Sequence, residues 1–340
     1  MKKFIFFLSL VTIFWGTTPK ITLAQDIHFS QFYASPLSIN PAETGFFNGN
    51  WRFTNNYRTQ WSAIGIPYQT ISGGLDKPFK VNQTSKFGMG AFFVNDNSGA
   101  SNLNVNKIFV SCNYIFTVDN IHTFGIGVQA GYVLKSFSMT GLSLPSQFNT
   151  ITGYFDPNLP NNTDSWDENI NYTDINAGMN YSLSVNKSKT YFGAALFHIN
   201  TPVESFLRQD QRLPMRIVFN GGVYFPLKNK LYLNPSFLTM YHKRASDWVF
   251  GALFHYVFTE PGVFDKIFAG AHARYSLNNI DAVIFTGGLS VYGFDIGVSY
   301  DVNISALQAA TNNKGALEIS LIYKNISKTL NTITLPCDRY

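Results

Sequence analysis

Phe124-Gly125-Ile126-Gly127-Val128-Gln129-Ala130-Gly131-Tyr132 is the stretch whose reading decides the fold. Phe124, Ile126, Val128, Ala130 and Tyr132, continued by Leu134, share one parity, and Gly125, Gly127, Gln129 and Gly131 share the other. Successive strand residues face opposite sides, so the segment has one apolar surface and one small or polar surface. The same split sets Ile296, Val298, Tyr300 and Val302 against Asp295, Gly297, Ser299 and Asp301. It also sets Leu317, Ile319, Leu321 and Tyr323 against Glu318 and Ser320. The alternation recurs from residue 51 to residue 324 and predicts about fourteen strands. They fall near 50–60, 66–77, 86–95, 103–118, 121–138, 171–184, 188–199, 213–226, 229–242, 246–259, 264–276, 280–290, 293–302 and 314–324.

Composition narrows what such a sheet can be. Charged residues are 13% of the chain and aromatics 16%, whereas an average soluble domain is roughly 25% charged. After residue 24 no stretch offers the about 20 consecutive apolar residues that a spanning helix needs. Few charges, many aromatics and glycines, and no such run fit an all-β, transmembrane, antiparallel up-and-down β-barrel. A large secreted β-sandwich is the soluble competitor. The connections argue between them. Those after the second, fourth, sixth, eighth, tenth and twelfth strands are mostly short, the longest lying around 78–85. The other set includes 96–102, 139–170, 200–212 and 303–313. Short periplasmic turns alternating with longer outer loops belong to outer-membrane barrels, and a sandwich has no reason to sort its loops by parity. Trp51 and Trp61 are ten residues apart on one face of the first strand. At about 3.3 Å per residue and a tilt of about 40°, they stand roughly 25 Å apart in height, matching two interfacial aromatic girdles.

The ends carry separate expectations. Residues 1–24 read as a secretory signal: Lys2 and Lys3, an apolar run from Phe4 to Trp15, and the small-residue exit Thr22-Leu23-Ala24. The formal net charge of +5 includes Lys2, Lys3 and Lys20, so without these three the chain carries +2. That balance gives no support for nucleic-acid binding. Residues 25–49 are a non-repetitive coil, placed at the periplasmic mouth, with Phe29, Phe32, Tyr33, Pro36, Asn40 and Pro41 as its candidate contact residues. Pro36 and Pro41 fix φ there and Gly45 permits a positive φ. The coil either plugs the barrel or docks a partner, with the plug preferred. Residues 50–324 form the barrel and 325–340 a tail. Cys112 lies on an apolar strand face, and pairing with Cys337 in the tail is an open alternative.

Chemistry is sparse. The six histidines, His28, His122, His198, His242, His255 and His272, are scattered, with no H-E-x-x-H, no G-x-S-x-G and no phosphate-cradling loop. No catalytic residue, cofactor or metal is expected. Asp156, Asp164, Asp167 and Glu168 lack the ordered spacing of a calcium loop and read as a solvated surface. Asp96, between two asparagines, reads as turn chemistry. The polar strand faces are more informative. Arg52 and Arg58 on the first strand, Asp76 on the second, Asp295 and Asp301 on the thirteenth and Glu318 on the fourteenth all point inward. Closure makes the first and last strands neighbours, so these charges form a candidate lumen network, since charge on the lipid side is costly.

Several segments resemble the PorP/SprF family. They are the coil from Gln25 to Gly45, Asn56-Tyr57-Arg58-Thr59-Gln60-Trp61, Ser72-Gly73-Gly74-Leu75-Asp76-Lys77-Pro78, Ser299 to Ser305, and Gly315 to Tyr323. The resemblance implies a non-enzymatic outer-membrane barrel of Bacteroidota associated with type IX secretion. It implies secreted cargo such as gliding adhesins as partners outside, peptidoglycan-linked proteins in the periplasm, and outer-membrane lipids around the barrel. A passive channel or hydrophobic-solute transporter is the alternative reading.

Overall fold

Segments that alternate apolar and polar residues have unpaired edges, and closing on themselves is the arrangement that removes every edge. The computed structural model describes residues 28–325 other than 64, 100–102, 139–143, 157, 161–166, 208, 244, 259–262, 277–278 and 307. The expected signal, Cys337 and the tail beyond Asn325 lie outside the described residues. The strands are β1 (Trp51–Gln60), β2 (Tyr68–Lys80), β3 (Ser85–Ser98), β4 (Leu103–Val118), β5 (His122–Ser136), β6 (Phe148–Asn149), β7 (Tyr154–Phe155) and β8 (Asn169–Val185). They continue as β9 (Ser188–Phe197), β10 (Arg216–Lys228), β11 (Leu231–His242), β12 (Ala245–Val257), β13 (Phe264–Ser276), β14 (Asn279–Val291), β15 (Phe294–Asn303) and β16 (Lys314–Asn325). β6 and β7 form a small separate sheet. The other fourteen make one closed antiparallel barrel in sequence order, with β1 paired to β16.

The parity of β5 is the parity of the wall. Ile126 and Val128 are 62% and 52% exposed on the outside, while Gln129, of the opposite parity, is buried inside. Outward aliphatic and aromatic side chains repeat around the barrel, and this is the surface that lipid covers. Turns at the inner end are tight. Asp119 and Asn120 between β4 and β5 have φ of 51° and 56°, a pair of left-handed residues that matches the strand twist.

Three expectations change. Loop sorting is only partial: β11 and β12 are joined by 243–244, as tight as an inner turn, whereas the inner link between β12 and β13 spans 258–263. Trp61 is not on β1; it follows the strand with φ of 57°, because the chain turns there, and it packs on Tyr68 with centroids 5.0 Å apart. Asp96 lies within β3 and accepts a hydrogen bond from Thr70 on the neighbouring strand at 2.6 Å, so it is a cross-strand partner.

Residues 28–47 run through the lumen. A 3-10 turn (Phe32–Ala34), one α-turn (Pro36–Ile39) and a second 3-10 turn (Pro41–Glu43) give the coil its shape, and the prolines start the last two. Its apolar side chains meet inward apolar patches of the barrel. Phe32 and Ile39 pack with Phe197, Val218, Leu238 and Ile284, and Leu37 packs with Phe92, Val105, Phe109 and Val133. Burial on this scale is worth about 1.5–3 kcal/mol per large side chain. The backbone comes so close that side chains are excluded at two barrel positions. A Cβ at Gly88 would sit 2.2 Å from the Thr44 carbonyl oxygen, and one at Gly127 would sit 2.6 Å from Ala42.

Gly127→Val is therefore expected to leave the barrel folded and to push the coil out, at a cost of about 1–3 kcal/mol to coil docking. The check is a heat-modifiable folded band on semi-native gels together with new protease cleavage between residues 28 and 47.

Candidate functional site

The filled lumen is the site, and it is held at two levels by charge. At the inner level β1 and β2 place Arg52 opposite Asp76. The guanidinium makes a bidentate pair, Nε to Oδ1 at 3.0 Å and Nη2 to Oδ2 at 2.8 Å. The coil completes both partners. Arg52 also donates to the Glu43 carbonyl oxygen at 2.9 Å, and the Gly45 N–H donates to Asp76 at 2.7 Å. Arg52 further stacks over Phe47, 4.6 Å from its ring centre.

At the outer level the seam between β1 and β16 sets Arg58 against Glu318. Arg58 reaches Glu318 at 3.3 Å and Asp301 at 3.1 Å. Arg274 from β13 joins them, 2.9 Å from Asp301 and 2.7 Å from Asp281. The coil enters this cluster as well. The backbone N–H groups of Ser30 and Gln31 donate to the two Glu318 carboxylate oxygens at 2.7 and 3.0 Å, and the Ser30 hydroxyl donates to Asp301 at 2.8 Å. Asp301 and Glu318 are fully buried. Buried charges need close partnering of this kind, because each carries a desolvation cost of several kcal/mol.

Between the two levels Asn40 reads the wall. Its amide donates to Asn180 at 2.7 Å and to the Met179 carbonyl at 3.0 Å, while its oxygen accepts from the Ala42 N–H at 2.9 Å. Asn180 in turn donates to Glu43 at 2.9 Å. Burial raises the Glu43 carboxyl pKa, opposed by Arg52, Lys189 and this hydrogen bond.

Of the residues singled out from sequence, Phe29, Phe32, Pro36, Asn40 and Pro41 are buried in the lumen and Tyr33 is half-buried there. The coil does not stop at the inner mouth: His28 and Ser30 sit at the level of Arg58, Arg274 and Asp301, near the outer ends of their strands. The six charges form separate groups rather than one network. Asp295 stands apart, 3.3 Å from Lys266. Sequence reading passed over Arg274 and Lys266, although both share the inward parity of the strand predicted at 264–276. Trp51 packs on Tyr323, 5.0 Å between centroids, at the inner end of the wall. Cys112 is a free thiol on the outer face of β4. Of the loop acids, Asp156 accepts from the Asn158 N–H at 2.9 Å, and Asp164 lies outside the described residues. His198 pairs with Asp174 at 3.0 Å and His272 meets the Ser236 hydroxyl at 3.2 Å, each as packed wall contacts.

Two outcomes follow. Arg58→Ala leaves Glu318 and Asp301 short of a cation and is expected to cost about 3–5 kcal/mol, read as a lower heat-modification temperature and faster hydrogen exchange across residues 28–35. His28 is the second. Burial holds its pKa at about 4, with Arg274 and Arg58 pushing the same way and Asp247 and Asp281 opposing. An unfolded histidine titrates near 6.5, so the docked coil binds fewer protons between these values and loses stability as pH falls through about 6.5 to 4. Exchange across residues 28–35, corrected for its intrinsic pH dependence, is expected to rise over that window, and His28→Gln is expected to flatten the rise.

Solved structures of similar shape are outer-membrane barrels. The monoaromatic hydrocarbon channel CymD aligns with a TM-score of 0.51 at 12% identity over 86% of this chain and 93% of its own. The deltaS2 mutant of the monoaromatic hydrocarbon channel TodX gives 0.50 at 11% identity, covering 86% and 94%. The toluene transporter TbuX of Ralstonia pickettii gives 0.49 at 12% identity, covering 86% and 94%. The likenesses to CymD and TodX establish the barrel fold. No curated protein sequence matches the chain. The family pattern described as type IX secretion system membrane protein PorP/SprF spans residues 21–323, almost the whole wall and the coil that fills it, and the chain belongs to that family.

Proposed function

We propose that this outer-membrane barrel is a non-enzymatic docking scaffold of type IX secretion, which supports export of its cargo and holds adhesin-like cargo at the cell surface. The observation that carries this reading is the coil of residues 28–47, tied to the wall at both levels of the lumen. A lumen crossed in this way has little room for free diffusion and makes a stiff support. Outside, loops 137–168 and 198–215 are joined into one platform. Phe137 packs on Phe206 with centroids 4.8 Å apart, the Asp167 N–H donates to the Phe206 carbonyl at 2.8 Å, and Lys135 pairs with Glu204. The β6–β7 hairpin on this platform exposes Phe148, Ile151, Tyr154 and Phe155, with Ile151 94% exposed. Exposed apolar clusters and free strand edges suit protein contact, and cargo is the partner available on that side. Peptidoglycan-linked proteins would be met at the inner mouth.

A second reading, passage of small hydrophobic solutes, is favoured by the aromatic lining of the inner lumen and by the likeness to CymD and TodX, which are monoaromatic hydrocarbon channels. Replacing residues 148–155 by a Gly-Ser linker in the native host is expected to abolish cargo display while barrel abundance is unchanged. Deleting residues 27–44 is expected to impair partner co-purification and to raise conductance in bilayers where the wild type is silent. Full cargo display and co-purification in both variants would contradict the scaffold role, and an already conducting wild type would favour the channel.

A further inference from the structure

Beneath the coil, the inner half of the lumen holds a cavity of about 240 Å³ that the scaffold role does not use. Phe32, Tyr33 and Ile39 of the coil form its roof. The arc of wall from β9 to β12 gives it Tyr191, Tyr224 and Leu253, an apolar and aromatic side. Lys266 on β13 and Lys324 on β16 stand on the facing arc, and Lys189 lies at the inner rim. Arg52 also borders the space but is engaged by Asp76, so three lysines face two carboxylates, Glu43 and Asp295, among the lining residues. The excess of positive charge sits beside a low-dielectric wall, where an anion is attracted more strongly than in water. Glu43, Phe46, Lys189 and Lys324 are only partly buried, which leaves the cavity open towards the short-turn end.

We propose that this cavity binds a small organic anion with an aromatic or short apolar body, entering from the periplasm. The body lies against Tyr191, Tyr224 and Leu253, and the acid group turns towards Lys189 and Lys324. Size selects the class. The volume lies below the roughly 300–1,000 Å³ typical of drug-sized ligands, so it suits one ring with a short acid tail and excludes a long acyl chain. Because the roof belongs to the coil, an occupied cavity also braces Phe32 and Ile39.

The test uses the full chain in phosphatidylcholine nanodiscs, with 3-phenylpropionate, its neutral amide and 3-phenylpropylamine as calorimetric probes and empty nanodiscs as the blank. The acid is expected to bind once per barrel, about tenfold or more tighter than the amide or the amine, which is the scale of one charge-assisted contact. The double variant Lys189→Gln/Lys324→Gln is expected to remove that preference and leave amide binding unchanged, and Leu253→Trp to abolish binding of both by filling the space. Should the lysine variant not fold, the wild type answers the same question: added salt is expected to weaken acid binding and spare the amide. Equal affinity for acid and amide, acid uptake no greater than by empty nanodiscs, or unchanged binding in Leu253→Trp would overturn the proposal.

Discussion

The meeting of Arg58, Asp301 and Glu318 is the constraint on which the rest depends. Two carboxylates are fully buried in a membrane protein's interior, and one guanidinium from the opposite side of the seam reaches both. Charge in such a place is tolerated only when most of its lone pairs are answered. The strands alone do not answer them. Arg274 supplies part of the balance, and the coil adds the Ser30 and Gln31 N–H groups and the Ser30 hydroxyl, while Asp301 Oδ1 makes no hydrogen bond. Seam closure and coil docking are thus one event, since each satisfies groups that the other leaves exposed.

The second level repeats this logic near the inner mouth. Arg52 and Asp76 pair across neighbouring strands, and both then bind the backbone of the coil at Glu43 and Gly45. Between the two anchors apolar packing is joined by the Asn40 hydrogen bonds to the wall, and glycines at 88 and 127 let main chain pass main chain. A segment fixed by polar bonds at both ends and by packing in the middle behaves as part of the core. A barrel filled in this manner suits load-bearing at the surface better than free diffusion.

Much of this was legible in sequence because membrane barrels obey a simple parity. Gly125 to Tyr132 gave one lipid face and one lumen face, and the inward parity of Arg58 and Glu318 followed from the same rule. Family resemblance rested on the segments bracketing the wall, and the family pattern covers them. What parity does not carry is depth. Whether Ser30 lies at the inner mouth or near the outer ends of the strands depends on how a coil without a period threads the lumen. Parity also gives no partner list, so Arg274 and Lys266 escaped notice although they lay on the correct face. Trp61 misled because β1 ends at Gln60, so the tenth residue after Trp51 falls in the turn and not on the strand.

The docked coil can be tested in place. The Thr44 and Ser111 hydroxyls touch at 2.7 Å across the coil and β4, and two side chains that short put their Cβ atoms within the reach of a disulfide. With Cys112 and Cys337 replaced by serine, Thr44→Cys/Ser111→Cys should form that disulfide in intact cells and shift the barrel's mobility on non-reducing gels. Free thiols at both positions in a folded, membrane-inserted barrel would contradict a coil-filled lumen.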